Sequence, residues 1–476
     1  MLQRFTTLLL LIPCLALGED RYRASFSENL DEVEVEACFD GPAPDHLFRN
    51  EDISTFASGI KWNKREITNW SRWGRAKLPD LPQDACIHWT VDLAAAIAGG
   101  DYRLAMKMDD GIISSGNLWF WRDGDERQIL LQIDLPNGMS VSAPWQAEES
   151  QGTQLLFRPQ PTPASWSSRI AIGHFPILEV TLPGGRLQVA TMNTTEQQSA
   201  SLASWIQTTA ESVALVSGQF PQANAQILII GIGPRDTPIP WAHVLRGGGM
   251  AAEFFVDETR PIDEFAQDWK AAHELSHMLL PYVSSKDRWL SEGLATYYEN
   301  ILRSRQGSIT EEQAWLNLHN GFQRGQAATD GGSLASATRS GRAATMRVYW
   351  SGAAMMLMAD TQIRALSGGK QSLDKTLSAL QECCLEQNKT WTARELFGRM
   401  DLLNGNGVFM NLYEEHVSAE EFPDMSDTYE QLGLLMDAGT VTMNEEAPGS
   451  HIRYRIMNPT ADGRNAQSRR RSSAWN

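Results

Sequence analysis

Cysteine is scarce in this chain: five in 476 residues, with no Cys-x-x-Cys pair, so thiolate metal clusters and thiol catalysis have little support. Positive charge is also under-represented, 41 Lys and Arg against 58 Asp and Glu, and the net charge of −17 repels phosphate backbones. Nucleic acid is therefore not an expected partner. Past the first residues no apolar run approaches the ~20 residues of a membrane-spanning helix, so no transmembrane anchor is expected. No internal repeat is apparent. Histidine is rare as well, nine in all, which makes any clustering of it informative.

Two of the nine fall in His273-Glu274-Leu275-Ser276-His277. On a helix, histidines at i and i+4 lie on one face and can reach a single ion. Glu274 projects beside that face, where it can take a proton from a water that attacks a carbonyl. Catalytic zinc usually has three protein ligands and an open position, so the pair needs a third donor. Trp289-Leu290-Ser291-Glu292-Gly293 supplies a candidate in Glu292. The helix formers from Glu264 to Ala272 place the motif inside a helix that Pro281 ends. After a polar stretch, Leu290, Leu294, Tyr297, Tyr298 and Ile301 recur at helical spacing, which puts Glu292 in the first turn of a second helix. One Zn(2+) is the implied cofactor. The remaining histidines share no ligand spacing. His243 reads as a hydrogen-bonded loop residue, with a place in a cleft wall as its alternative.

The motif followed by Trp-Leu-x-Glu-Gly-x-x-x-Tyr-Tyr resembles the gluzincin (thermolysin-like) zinc metallopeptidases, and within them the glycyl-aminopeptidase family. Arg347-Val348-Tyr349-Trp350-Ser351-Gly352-Ala353 is similar to that family's Tyr-x-Lys-Gly stretch, with Ser351 where Lys is usual. By this resemblance Tyr349 hydrogen-bonds the oxyanion of the tetrahedral intermediate. The resemblance further implies a Gly-rich edge strand that pairs with the substrate backbone, here Arg246 to Asp257, so Gly248, Gly249, Met250 and Glu253 become substrate-binding candidates. The position of the family's amine-holding glutamate is Ala251. Glu253 would point the same way, about 7 Å further along a strand. Aminopeptidase action is thus less well supported than peptide hydrolysis itself. Catalytic roles fall to Glu274 and Tyr349 and metal ligation to His273, His277 and Glu292, with a peptide or protein as substrate. A zinc hydrolase of a non-peptide substrate, or a secreted binding or chaperone-like module braced by zinc, uses the same donors for other ends.

The chain reads as a multidomain α+β protein. Residues 1–18, with Arg4, the run Leu8 to Ile12 and Gly18, form a signal peptide, so the mature chain is expected in a secreted or periplasmic setting. Residues 19–192 carry short alternating strands and form a β-sandwich-like domain. Residues 193–435 form a thermolysin-like zincin catalytic domain, a sheet plus a helical subdomain. Helices are expected near 196–215, 311–324, 345–367, 372–385 and 392–403. Residues 436–476 form a C-terminal extension ending in a disordered basic tail around Arg469-Arg470-Arg471, too short for the PDZ module that many relatives of this kind carry. An oxidising compartment lets Cys38 pair with Cys86, both within the strand-rich region. Cys383 and Cys384, adjacent on a helix, point apart and are not expected to bond to each other. Oligomeric state is not encoded legibly.

Overall fold

The structure, a computed structural model, describes residues 18–459 except 49–54, 68, 71–73, 124–126, 149–154, 386–387 and 438. The expected signal peptide, apart from Gly18, and the basic tail lie outside the described residues. No helix among them is long and apolar enough to cross a membrane.

The N-terminal region is a sandwich because its strands alternate. In Glu19–Phe26, Tyr22, Ala24 and Phe26 point inward while Arg21 and Arg23 point out, the period-2 pattern of a sheet with one buried face. Strands Gln128–Asp134, Glu19–Phe26, Glu32–Cys38 and Cys86–Asp92 lie side by side at the centre of an eight-stranded sheet. A four-stranded sheet, ordered Ser140–Ser142, Arg169–Gly173, Gly111–Ser115, Ala105–Met108, shares its core through Ile112, Ile170 and Ile172. Trp89 and Trp121 stack there, 4.9 Å between ring centroids. Cys38 and Cys86 are register partners on neighbouring strands and form the expected disulfide.

The second unit is built on five strands: β1 (Ile177–Leu182), β2 (Gly185–Met192), β3 (Asn224–Gly231), β4 (Trp241–Leu245) and β5 (Met250–Val256), in the order β1-β2-β3-β5-β4. The expected boundary at residue 192 falls between β2 and the helix α1 (Glu196–Ala214). β1 and β2 belong to this sheet because β2 pairs in parallel with β3 from Arg186 to Met192, across α1. A hairpin read in isolation does not reveal which sheet it joins. One face of the five-stranded sheet (Ala190, Met192, Leu228, Ile230, Phe255) packs on Ile113 and Ala171, the far side of the N-terminal sandwich. The other face (Val189, Ile227, Ile229, Phe254) is covered by Leu202 and Ile206 of α1 and by Leu275 beside the metal motif.

The helix expected from 264 onward is broken in two. α2 (Ile262–Gln267) ends at Asp268, whose backbone is extended and whose carboxylate accepts from Lys270 N at 2.8 Å, starting α3 (Lys270–Ser276) afresh. An aspartate that bonds the backbone two residues on competes with helix continuation. His277–Leu279 tightens to a 3-10 turn before Pro281. α4 (Arg288–Gln306), α5 (Glu311–Ala327), α6 (Thr345–Leu366), α7 (Leu373–Cys384) and α8 (Ala393–Asn404) match the periodicity closely. Glu292 sits just past the first turn of α4 rather than within it.

Within the expected C-terminal extension, a hairpin (Leu434–Asp437 with Thr440–Met443) and α9 (Ser450–Met457) close the helical core, with Ile452, Ile456 and Met457 buried and Arg305 donating to the Ile456 carbonyl at 2.7 Å. The expectation for the adjacent cysteines fails. Cys383 and Cys384 are joined to each other. They form the last two residues of α7, at its C-terminal end.

Candidate metal centre and its cleft

α3 delivers His273, the 3-10 turn that continues it delivers His277, and α4 delivers the acid. His273 Nε2 lies 3.3 Å from Glu292 Oε2, and His277 Nε2 lies 3.6 Å from the same oxygen. One donor atom from each of the three residues falls within 4.8 Å of the others. The back of each ring is held. His273 Nδ1 bonds Glu299 Oε2 at 2.8 Å and His277 Nδ1 bonds Ser291 Oγ at 2.9 Å, so both Nε2 atoms face Glu292. Two imidazoles and a carboxylate, oriented from behind and nine-tenths enclosed at His273, are the donor chemistry that zinc takes, with room for one ion.

Sequence reasoning missed Glu299 and Ser291. A signal for Glu299 was present: it follows Glu292 by seven residues, two helical turns on the same face, inside an otherwise apolar stretch. Ser291 carries no such signal. Arg246 was also missed. It caps the end of the metal helix, donating to the carbonyls of His277 at 2.8 Å and Leu280 at 3.1 Å, where a helix C-terminus favours a cation.

Two glycines bring the acid and the phenol together. α4 and α6 cross where a Cβ on Gly352 would lie 2.1 Å from the Trp289 carbonyl oxygen and one on Gly293 2.3 Å from Gly352 Cα. Only bare backbone allows that approach. It sets Tyr349, one turn before Gly352, against the metal site: its ring is parallel to that of His273 at 5.7 Å, and it stands beside Glu292.

The charges follow from enclosure. Burial works against the His273 imidazolium, but Glu292 and Glu299 outweigh it and raise the group to about 10. Burial alone would raise Glu292, yet the imidazoles of His273 and His277 beside it hold it well below the usual carboxylate range. Burial pushes the Glu274 carboxyl up, opposed by the two imidazoles. Burial, reinforced by Glu292, pushes the Tyr349 phenol far up, so it keeps its proton.

A cleft of about 340 Å³ holds Glu274, His277, Glu292 and Tyr349, walled by Ala242, His243 and Val244 of β4. The sheet edge beside the metal is therefore β4, and the Gly-rich segment lies elsewhere. β5, which starts at Met250, is interior, paired on one side with β3 and on the other with β4. Gly248 and Gly249 are glycines for another reason: a Cβ on the first would meet Trp145 Nε1 at 2.8 Å and one on the second the Pro144 carbonyl at 1.9 Å. They let the loop wedge against the N-terminal sandwich, whose Trp145 donates to the Gly247 carbonyl at 2.9 Å. Met250 and Ala251 are buried. Glu253, 2% exposed, accepts from Arg169 at 3.0 Å and lies 3.3 Å from His243 Nε2, so it ties the two units together. None of Gly248, Gly249, Met250 and Glu253 lines the cleft. His243 does, contrary to its reading as a loop residue.

Fold and donor set together define a thermolysin-like unit with the gluzincin arrangement, His-Glu-x-x-His plus a downstream Glu. No protein-family model matches the sequence, and comparison with curated proteins gives no match either. Among solved structures the fold is similar to an aminopeptidase N family protein from Idiomarina loihiensis (TM-score 0.65, 13% identity, 87% of this chain and 78% of that one). It is also similar to yeast LTA4 hydrolase in complex with bestatin (0.56, 12%, 88% and 71%) and to an M1 zinc metallopeptidase from Deinococcus radiodurans (0.53, 12%, 86% and 94%). The chain thus shares the fold of these structures.

Proposed function

We propose that the protein is a zinc-dependent peptidase. The observation that carries this is the meeting, in one cleft, of the three donors with a buried carboxyl and a proton-bearing phenol that are not needed merely to hold an ion. His273, His277 and Glu292 would hold zinc, which would supply Lewis acidity and an acidified water. Glu274 takes the water's proton and passes it to the leaving amine, a role suited by a carboxyl raised above its ordinary value. Tyr349 donates to the oxyanion, since its own proton is firmly held. The nearer kinship with glycyl aminopeptidases rests on the segments around Trp289 to Tyr298 and Arg347 to Ala353.

We further propose cleavage that does not require a free α-amine. Among the residues lining the cleft the carboxylates are Glu274 and Glu292, both otherwise engaged, while Ala251 and Glu253 are enclosed away from it. The Cys38–Cys86 bond supports a secreted or periplasmic setting. The test is hydrolysis of a mixed peptide library by zinc-loaded protein, with Glu274→Gln as control and N-acetylated peptides beside free ones. Equal turnover of both sets is expected. No turnover that depends on Glu274 removes the peptidase reading, and a strict need for a free amine removes the second.

A further inference from the structure

Tyr349 belongs to the walls of two cavities. One is the metal cleft; the other, of about 480 Å³, lies between α4, α5 and α6 and plays no part in the chemistry above. Its volume is that of a small-molecule site. Its polar lining is rich in donors: the guanidiniums of Arg303 and Arg324, the amides of Asn317 and Asn320, and the hydroxyl of Thr296. The single carboxylate in the lining, Glu299, is already committed, Oε2 to His273 at 2.8 Å and Oε1 to the Asn300 amide at 3.3 Å.

Two atoms here have no hydrogen-bond partner among the described residues: Thr296 Oγ1 and Arg303 Nε. Their residues are 2% and 8% exposed, and buried polar groups left unpaired are costly. Arg324 lies over the Trp350 ring at 5.0 Å and joins no ion pair among the described residues. Beside these donors stand two apolar groups open to solvent, Trp269 (42% exposed) and Met346 (40%).

We infer that this cavity binds an organic carboxylate with an apolar body. The guanidiniums and amides take the carboxylate, and the indole and thioether take the body. The site communicates with the metal centre by contact, because three of its wall residues touch His273: Glu299 by its hydrogen bond, Trp269 edge-on at 5.4 Å and Tyr349 in a stack at 5.7 Å. The carboxylate is either the terminal group of a peptide lying in the cleft or that of a separate ligand.

The probes are N-acetyl-phenylalanine and its amide, titrated into the full-length protein by calorimetry. The acid is expected to saturate the site at least about tenfold more tightly than the amide, the effect of losing a charge-assisted hydrogen-bond pair. Arg324→Ala, an exposed position on α5, should erase that difference without changing the thermal midpoint, and Arg324→Lys should restore part of it. Equal binding of acid and amide, no saturable binding of either, or an acid preference that survives Arg324→Ala overturns the assignment. These readings need no turnover, so they stand apart from the peptidase reading. Where peptides are cleaved, C-terminal amidation that raises KM in the native protein but not in Arg324→Ala identifies the substrate's own end. An unchanged KM, with turnover altered by the free acid, identifies a separate ligand.

Discussion

Gly352→Ala is the sharpest perturbation of the helix crossing that assembles the site. The added methyl would sit 2.1 Å from the Trp289 carbonyl oxygen, and the backbone of Gly293 lies directly beside it. Carbon and oxygen need more than about 3 Å, so α4 and α6 must part by roughly 1 Å, and no flexible side chain is there to yield. Overpacking of this kind costs about 1–3 kcal/mol, with the rigid backbone on both sides favouring the upper end. In a unit of this size that lowers the melting midpoint by about 6–10 °C. The same displacement moves Tyr349 relative to Glu292, and a misplacement of ~1 Å in a catalytic group costs on the order of a hundredfold in rate. The control is Gly398→Ala in α8, where a new Cβ meets nothing within 4 Å. Replacing that mid-helix glycine should stabilise by about 0.5–1 kcal/mol. Differential scanning calorimetry and turnover of a cleaved peptide read both effects. A Gly352→Ala protein that melts and turns over like the native one would show that the crossing is not what positions the phenol.

Glu274→Gln should keep zinc and lose turnover, whereas His277→Ala and Glu292→Ala should lose zinc, as metal analysis of the purified variants will show; full occupancy in Glu292→Ala would remove that residue from the ligand set. Tyr349→Phe keeps ring and packing, so turnover should fall about a hundredfold with zinc retained and KM little changed, and a drop below about fivefold assigns the oxyanion to another donor. Zinc affinity should climb with pH through 7–9, about tenfold per unit, because His273 in the metal-free site is raised to about 10 and must release its proton to bind. The sign is fixed by the raised value, and an affinity flat above pH 7, as for an ordinary imidazole, contradicts it. Removing the Cys38–Cys86 bond, which closes a 48-residue separation, should cost about 2–4 kcal/mol in denaturant titration, and thiols that alkylate without reduction would show that the bond does not form.

The parts of this molecule that were legible in its sequence are those governed by local periodicity. The long helices repeat their apolar residues every three to four positions, and α5 to α8 fall within three residues of expectation at each end. The metal donors were legible because two of them stand four residues apart on one continuous helical stretch, and the third sits in an apolar stretch a short loop away. Where local pattern is silent, a distant partner decides the outcome. β1 and β2 look like any hairpin until β3 pairs beside them, and α9 is a short polar-looking segment until Arg305 and the core receive it.

The Gly-rich segment shows the same limit at the site itself. Three consecutive glycines say only that something comes close, and the sequence cannot say what. Substrate was one answer; the structure gives another, since Pro144, Trp145 and Ser167 of the N-terminal sandwich occupy the space that a Cβ would need. With Glu253 locked to Arg169 across the same junction, the sandwich fixes the segment from which β5 starts. β4 pairs with β5 and is followed directly by Arg246, which holds the carbonyl of the zinc-motif histidine His277. The N-terminal unit therefore reaches the metal through backbone register and one guanidinium rather than through any residue of its own in the cleft, and this is a role that no motif could have announced.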